Sequence, residues 1–409
     1  MANQHILYLS YDGMTDPLGY SQVVSYLKGL TKKSYRFTLI SFEKKERMDK
    51  MGAALAEELK NYPIRWEPLI YHKSPPILST LYDLWRLKQK CLAAHKADAV
   101  DLLHCRGYIT ALVGLDLKRQ LGTRFLFDMR AFFADERKES GAWQESHPLY
   151  GRVYRFFKRK EKAFLEEADG IISLTEKGKE VIQSWEHLKG NIAPVTVIPC
   201  AADLSHFNPQ NINTEKVKAI QKELGLEGKY ILLYVGSISR YLLEEMMLFF
   251  KVLKQYKPNA LFLFLTQEPK EKLFELAKNQ GLSSGDLKVT PVERNNMPTY
   301  MSLADLGIFF ASKGMGKTIY SPVKMGEMMG MGVPTICNSG LGDSDLVLKK
   351  YDAGIVVEDF EENTFESAVQ QLEKEAFNKE KILRGATEVY ALQKGVEAYN
   401  RAYLKSTRF

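Results

Sequence analysis

A lysine and a glutamate three residues apart form the most informative pair in this sequence. They lie in the segment Ser321–Glu327, where Pro322 favours the start of a helix and places Lys324 and Glu327 on one face. A helix N-terminus and an ammonium group suit a phosphate, and a carboxylate one turn further on suits the hydroxyl groups of a ribose or another sugar. We therefore predict a ligand site at Ser321, Lys324 and Glu327; the alternative is an ordinary surface ion pair.

A glycine-containing turn follows the first predicted strand and opens a helix. Gly13 and Gly19 lie six residues apart in the stretch Tyr11–Gln22, so the turn differs from a GxGxxG fingerprint. The nearest acidic residue after the second strand is Glu43, which is not a clear ribose partner. Backbone N–H groups in such a turn bind phosphate, and we predict that Gly13 and Gly19 contact a phosphorylated ligand. An ordinary strand-to-helix turn is the alternative.

A second turn of this kind occurs in the C-terminal half. It follows a predicted strand ending at Val235 and contains Gly236, Ser237 and Arg240. The hydroxyl, the backbone N–H groups and the guanidinium could together receive a diphosphate.

Four polar residues follow or end two buried strands of the N-terminal half. His104 and Arg106 are predicted to project from the end of one strand, and Asp128 and Arg130 directly follow another. An arginine can hold an anionic group, whereas a carboxylate or imidazole can orient a hydroxyl group. We predict that these four residues line an acceptor site; a structural histidine and a salt-bridged loop are the alternatives.

A basic amphipathic segment covers Gly151–Glu167. Arginine and lysine residues surround an apolar face. The positions predicted to share that face are Val153, Phe156, Phe157 and Phe164. Such a helix can lie on anionic lipid, although a core helix with a solvated face explains the pattern more simply.

Two further motifs resemble known sites but do not fit them. Residues 311–318 (ASKGMGKT) satisfy a relaxed P-loop pattern, yet Pro322 falls where the helix after Lys317 should continue. Asp343 and Asp345 form a DxD, but they follow a glycine-rich turn. We expect no metal site.

Strands alternate with helices along the whole chain, which predicts two doubly wound α/β domains with parallel sheets. Predicted strands of the first half are His5–Ser10, Phe37–Phe42, Asp101–His104, Phe125–Phe127, Gly170–Leu174 and Val195–Pro199. Those of the second half are Tyr230–Val235, Ala260–Thr266, Leu287–Thr290, Leu306–Ala311, Val333–Cys337 and Gly354–Val357. We place the domains at residues 1–205 and 206–385, with a terminal helix at 386–409 that returns toward the first domain. Two such sheets facing each other would form a central cleft.

Composition narrows the class of protein. The chain has 409 residues, 45% of them hydrophobic and 26% charged, which is typical of a globular protein of two domains. We expect no signal peptide and no membrane span, and the four scattered cysteines fit a reducing cytoplasm. A net charge of +7 favours small anions or the inner face of an anionic membrane over nucleic acid.

Several motifs together resemble the bacterial glycosyltransferases of family 4, which have the GT-B fold. They are YDGMTDPLGYSQV, FDMRAFFADE, SLTEKGKEVI, VIPCAAD, LYVGSIS and, as the most specific, SPVKMGEMMGMGVPTICNSGLGD. The resemblance covers nearly the whole chain. It implies donor binding in the C-terminal domain, acceptor binding in the N-terminal domain, and metal-independent transfer with retention of configuration. The donor phosphate itself would take the proton from the acceptor hydroxyl.

The sequence departs from the family at its donor site. Glu327 matches the second of two glutamates eight apart, and the first would fall at Ile319. The usual arginine and lysine that grip the diphosphate would fall at Ser237 and Leu242, so Arg240 and Lys324 are the predicted substitutes.

The resulting hypothesis is transfer of a sugar from a nucleotide-sugar donor to a lipid-linked or saccharide acceptor, in cell-surface polysaccharide biosynthesis. No cofactor beyond the co-substrate is expected. The alternatives are a non-catalytic nucleotide-sugar-binding subunit of a transferase complex and a P-loop NTPase.

Overall fold

The computed structural model describes residues 4–188, 192–239 and 241–407. It divides into two units. The first comprises the described residues of Met1–Cys200, Met315–Tyr320 and Leu392–Phe409, and the second those of Ala201–Gly314 and Ser321–Ala391.

The first unit is built on one parallel sheet. Its strands are β1 (Gln4–Ser10), β2 (Tyr35–Glu43), β3 (Ile64–Ile70), β4 (Leu102–Arg106), β5 (Arg124–Met129), β6 (Gly170–Ser173) and β7 (Val195–Val197). They lie in the order β3-β2-β1-β4-β5-β6-β7. The helices between them are α1 (Pro17–Gly19), α2 (Ser25–Thr31), α3 (Lys45–Leu59), α4 (Leu78–Ala97), α5 (Tyr108–Leu121), α6 (Phe133–Glu139), α7 (Tyr150–Glu167) and α8 (Glu176–Ser184).

The second unit repeats this architecture. Its strands are β8 (Tyr230–Val235), β9 (Ala260–Leu265), β10 (Leu287–Thr290), β11 (Leu306–Phe309), β12 (Thr335–Asn338) and β13 (Gly354–Val357), in the order β10-β9-β8-β11-β12-β13. Its helices are α9 (Thr214–Leu224), α10 (Leu243–Tyr256), α11 (Glu271–Asn279), α12 (Met297–Met301), α13 (Val323–Gly330), α14 (Ser344–Tyr351), α15 (Glu362–Lys374) and α16 (Lys379–Tyr390). The fold is therefore two doubly wound, Rossmann-like parallel sheets, as predicted.

The final helix, α17 (Leu392–Thr407), belongs to the first unit and packs against α2, β5 and β6. Its aromatic side chains enter the core of that unit. The Tyr399 ring packs edge-on against Tyr26 at 5.2 Å, and the Tyr403 ring against Tyr35 at the same distance. The last segment of the chain therefore completes the core beneath the first sheet.

The first unit differs from the sequence-based prediction at two strands. The structure has β3, for which no strand was predicted, because it carries Pro68 and the exposed Arg65 and lies at the sheet edge. It also extends β4 to Arg106, whereas the predicted strand ended at His104. As a result, His104 lies inside the strand.

Each sheet reverses its strand order at one point. In the first unit this switch point lies between β1 and β4, and in the second between β8 and β11. Ligands of open α/β sheets bind beyond the carboxyl ends of the strands at such points. The two glycine turns follow β1 and β8, so each stands at the switch point of its own unit.

Candidate active site

The turn after β1 is held together by a close backbone approach. A Cβ atom on Gly19 would lie 2.0 Å from the carbonyl oxygen of Gly13, so no side chain fits there. The chain then continues through α1 and a π-helical turn at Tyr20–Val24 into α2. Gly19 is therefore required by the shape of the turn.

The amide groups of this turn already have an anionic partner. The backbone N–H groups of Met14 and Thr15 donate to the Glu43 carboxylate at 2.7 and 3.0 Å, and the Thr15 hydroxyl donates at 2.6 Å. Ser41 adds a further hydrogen bond at 2.6 Å. Glu43 is fully buried. The carboxylate occupies the position predicted for a phosphate, so these two amides are committed to shaping the loop, and contact of Gly13 and Gly19 with a donor stays a prediction.

Removal of the Glu43 carboxylate is expected to loosen this turn. Glu43→Ala leaves two buried N–H donors unpaired, which costs about 2–3 kcal/mol of unfolding free energy. The check is urea unfolding followed by tryptophan fluorescence, because all four tryptophans (Trp66, Trp85, Trp143 and Trp185) lie in the first unit. The exposed Glu46→Ala is the control, and equal midpoints for both variants would contradict the predicted role of Glu43.

The four residues predicted for the acceptor side come together around Asp128. The Arg130 and Arg106 guanidinium groups lie 3.5 and 3.8 Å from its carboxylate. The Tyr399 hydroxyl of α17 donates to it at 3.0 Å, and His104 Nε2 lies at 3.3 Å. Burial alone would raise the pKa of Asp128, but Arg130, His104 and Arg106 together hold it below its usual range. The carboxylate is therefore ionised inside the unit.

His104 does not project from the sheet edge, contrary to the sequence-based prediction. It is fully buried, with Nδ1 2.7 Å from the Tyr403 hydroxyl and its ring centroid 4.1 Å from that of Tyr8. Burial lowers the pKa of His104, which keeps the imidazole neutral. Its contacts assign it to holding Asp128 in place, which makes it a positioning residue and not a group that touches substrate.

The two arginines are left with unused donors. Arg106 Nη1 and Arg130 Nε are buried without a hydrogen-bond partner in the part of the chain that the structure describes. Arg106 Nε lies 3.4 Å from the exposed Asp12, and Arg130 Nη2 lies 3.2 Å from Cys200 Sγ. The two guanidinium groups share the buried Asp128 carboxylate and the exposed Asp12, and their unused donors suit an anionic group.

In the second unit, α13 begins directly after Pro322 and carries Lys324 in its first turn. The Lys324 ammonium lies 3.7 Å from the ring centroid of Tyr241 and 4.2 Å from that of Tyr234. Its Nζ atom is buried and has no hydrogen-bond partner among the described residues. Burial lowers the pKa of Lys324 to about 7. Stacked between aromatic rings, the ammonium retains three unused donors.

The glycine turn after β8 adjoins this ammonium. Gly236 adopts φ of 102°, which only glycine tolerates readily, and a Cβ atom there would lie 3.8 Å from Lys324 Nζ. Ser237 donates a hydrogen bond to Glu268, which also accepts from the Ile238 N–H at 3.2 Å. Ser321, largely buried, precedes α13, and Arg240 lies outside the described residues.

Glu327 lies one turn after Lys324 and is buried. Its carboxylate accepts a hydrogen bond from Arg294 Nη1 at 3.2 Å, and the Arg294 guanidinium lies over the Phe207 ring at 5.3 Å. Burial raises the pKa of Glu327 above its usual value, an effect that Arg294 opposes. No hydrogen bond from another described residue reaches the second carboxylate oxygen, which could accept from a ligand hydroxyl group. No local pattern in the sequence indicated Arg294, which reaches Glu327 from a distant segment.

The two further motifs lie in a 3₁₀ turn and at the start of a helix. Residues 315–317 form a 3₁₀ turn, and the next α-helix begins at Val323. The N–H groups of Met315 and Gly316 donate to Glu139 at 2.6 and 3.1 Å, which places a carboxylate where a P-loop holds phosphate. Asp343 and Asp345 belong to the start of α14. Among the described residues, no group of three or more His, Cys, Asp and Glu is arranged to hold a metal ion.

Only some of the residues predicted for the apolar face of α7 are buried in the first unit. Phe157 and Phe164 are buried, but Phe156 is 38% exposed and lies on the side of Arg152, Arg155 and Arg159. The prediction that Phe156 shares the buried face is wrong, because consecutive residues diverge by about 100° around a helix. Among the described residues, no helix is long and apolar enough to cross a membrane.

The paired parallel sheets define the GT-B fold of glycosyltransferases, and solved structures share it. Sucrose-phosphate synthase from Thermosynechococcus elongatus is 15% identical, with 98% of each chain covered and a TM-score of 0.71. A glycosyltransferase from Rickettsia africae is 13% identical, with 99% of each chain covered and a TM-score of 0.71. Anabaena HepE in complex with UDP-glucose is 15% identical, with 98% and 99% covered and a TM-score of 0.66. These similarities establish the fold.

The protein is a glycosyltransferase of this fold class. Residues 21–206, nearly all of which belong to the first unit, match the model of Glycosyltransferase Family 4. No curated protein matches the sequence significantly.

Proposed function

We propose that the protein transfers a sugar, with retention of configuration, from a nucleotide-sugar donor to a lipid-linked or saccharide acceptor. One observation carries the donor half of the proposal: the buried Lys324 ammonium has no hydrogen-bond partner among the described residues and lies beside the Gly236 turn at a sheet switch point. A buried cation without a partner is costly, and an anion that binds there relieves that cost. A diphosphate brings the required charge and acceptor oxygens.

Further features support a nucleoside diphosphate sugar over a simple phosphate. Glu327 lies one helical turn beyond Lys324 and keeps an oxygen that can accept from a sugar or ribose hydroxyl group. Arg294 favours the ionised form of that carboxylate. Anabaena HepE, which shares the fold, has been solved with UDP and with UDP-glucose. In this proposal Lys324 and the turn hold diphosphate, and Glu327 holds a hydroxyl group.

The reaction needs little covalent chemistry from the protein. In a front-face displacement, the donor phosphate takes the proton from the acceptor hydroxyl as the glycosidic oxygen departs with the nucleoside diphosphate. Lys324 then stabilises charge that grows on the leaving diphosphate, which is electrostatic catalysis by a preorganised group. No metal is required for this step in the proposal.

The first unit would bind the acceptor. Asp128, fixed by His104 and Tyr399, orients Arg106 and Arg130, whose unused donors suit an anionic acceptor such as a lipid-linked phosphate. Together with the family resemblance, this supports a role in bacterial cell-surface polysaccharide biosynthesis, with the protein in the cytoplasm or on the inner face of the membrane.

A thermal-shift screen tests the donor class. We expect one of the UDP-, GDP- or ADP-linked sugars to raise the melting temperature of the full chain, and CMP-linked sugars, which carry one phosphate, to have little effect. Nuclear magnetic resonance of the product would then show the same anomeric configuration as the donor. Stabilisation by no diphosphate sugar, or an inverted product, would contradict the proposal.

Donor binding is expected to weaken above neutral pH. Below pH 7 the Lys324 ammonium is already charged, because its pKa is about 7, and binding costs no proton uptake. Above pH 7 the neutral amine must first be protonated, so the Kd should rise by up to about tenfold per pH unit. Calorimetry between pH 6 and 9 measures this slope. Lys324→Arg, which stays charged, should flatten it; an unchanged slope in that variant would assign the titration elsewhere.

A further inference from the structure

The first two turns of α4 present an unusual surface. Leu78, Leu81, Tyr82 and Trp85 are 64%, 57%, 50% and 59% exposed. Their spacing of three, four and seven residues places them in one stripe along the helix. They account for four of the twelve exposed large apolar side chains among the described residues. We call these four residues the α4 stripe.

The exposure of the α4 stripe is built into the fold. On the opposite face of the helix, Ser79, Asp83, Leu87 and Cys91 are buried at intervals of four residues. Asp83 accepts hydrogen bonds from the Tyr11 hydroxyl at 3.1 Å and from the His72 ring at 2.6 Å. The helix is thereby fixed to the first unit with the stripe outward.

The charges around the α4 stripe are positive. Arg86 stacks over the Tyr82 ring at 5.7 Å and donates to the Ile70 carbonyl, and Lys73 is exposed just before the helix. Neither forms an ion pair with a carboxylate in the part of the chain that the structure describes. The only carboxylate within α4 is the buried Asp83. The surface therefore combines apolar side chains with uncompensated positive charge.

We propose that the α4 stripe inserts into the interfacial region of an anionic phospholipid bilayer and seats the enzyme on the membrane. Tryptophan and tyrosine favour the depth of lipid headgroups, leucine favours the acyl boundary, and arginine and lysine favour anionic headgroups. α7 is less suited, since its exposed basic face carries only Phe156 as a large apolar side chain. The inference adds to the proposed function by naming the surface that brings the protein to a lipid-linked acceptor.

A second copy of the chain fits this surface less well. A two-fold contact through the α4 stripe would bring the Arg86 and Lys73 charges of both copies together. Two helical turns with four side chains also offer less than the ~800 Å² per partner that stable interfaces bury.

Vesicle sedimentation tests the inference without donor or acceptor, so its failure is separate from failure of the proposed function. We expect the full chain to sediment with vesicles of phosphatidylglycerol and phosphatidylethanolamine more than with phosphatidylcholine alone. Leu81→Glu and Trp85→Glu should each reduce binding by about tenfold or more, because a charge replaces an inserted apolar group. Trp85→Phe should keep binding but remove the blue shift of tryptophan emission.

Two matched variants serve as controls. Leu346→Glu changes a leucine that is 53% exposed in the second unit, and Phe156→Glu changes α7; both should bind vesicles as the wild type does. Circular dichroism and urea midpoints equal to wild type confirm that the α4 variants fold. Unchanged binding in Leu81→Glu and Trp85→Glu, or loss of binding in Phe156→Glu, would overturn the assignment. A wild-type dimer in sedimentation that Trp85→Glu dissociates would overturn it in favour of a second copy.

Discussion

Replacement of Lys324 by alanine is expected to reduce sugar transfer by about 100-fold while the protein stays folded. In the proposed function the ammonium meets charge as it develops on the departing diphosphate, and its Nζ makes no hydrogen bond to another described residue. The aromatic contacts with Tyr234 and Tyr241 position it in advance of the reaction. Loss of such a preorganised donor affects the rate more than it affects the fold.

Two further variants test the specificity of this effect. One separates the charge of Lys324 from its shape, and the other tests the lysine of the P-loop-like stretch. Lys324→Arg keeps the charge but not the compact shape, so its activity should lie between those of wild type and Lys324→Ala. Lys317→Ala removes the lysine of the P-loop-like stretch and should leave transfer near the wild-type rate. Transfer of labelled sugar from the donor to an extracted lipid or saccharide fraction measures all three. Near-normal transfer by Lys324→Ala would contradict the assignment of Lys324 to the donor diphosphate.

Replacement of Asp128 by alanine should lower the unfolding free energy of the first unit by about 3–5 kcal/mol. The substitution leaves Arg106 and Arg130 buried without the carboxylate that balances them, and it removes the acceptor for the Tyr399 hydroxyl. Asp128→Asn, which preserves shape and one acceptor oxygen, should cost less. The order of stability expected is wild type, then the asparagine variant, then the alanine variant.

Tryptophan fluorescence during urea unfolding measures this loss in the first unit, where all four tryptophans lie. Asp116→Ala is the matched control, because Asp116 pairs with Lys88 at the surface and should contribute no more than about 1 kcal/mol. If the Asp128 and Asp116 variants unfolded at the same urea concentration, the buried cluster would not stabilise the unit.

The regular parts of the fold could be predicted from local sequence. Strands such as β8 and β13 are short apolar runs followed by a glycine or a polar turn, and their predicted bounds match the structure. Edge strand β3 could not be predicted in this way, since its exposed and half-buried residues lack an apolar run. The end of β4 was misplaced because Cys105 and Arg106 are buried by their surroundings, which a local pattern does not show.

The candidate site could be predicted only where its residues are close in the chain. Lys324 and Glu327 share one helical turn, so their spacing alone indicated a joint site. Partners from remote segments produced no such signal. Tyr399 reaches Asp128 across 271 positions, and Glu43 fills a turn 28 to 29 positions away. Sequence also suggested that His104 is available to substrate, whereas packing against α17 buries it.

Calorimetric titration of wild type and Lys324→Ala with the donor found by thermal shift tests the central claim most directly. Placement of the donor diphosphate at Lys324 predicts one binding site in wild type. It also predicts a Kd raised by about 10- to 100-fold in Lys324→Ala, because that variant loses a charge-assisted hydrogen bond. Lys317→Ala should bind as wild type does. Equal affinity of wild type and Lys324→Ala for the nucleoside diphosphate sugar would contradict that placement.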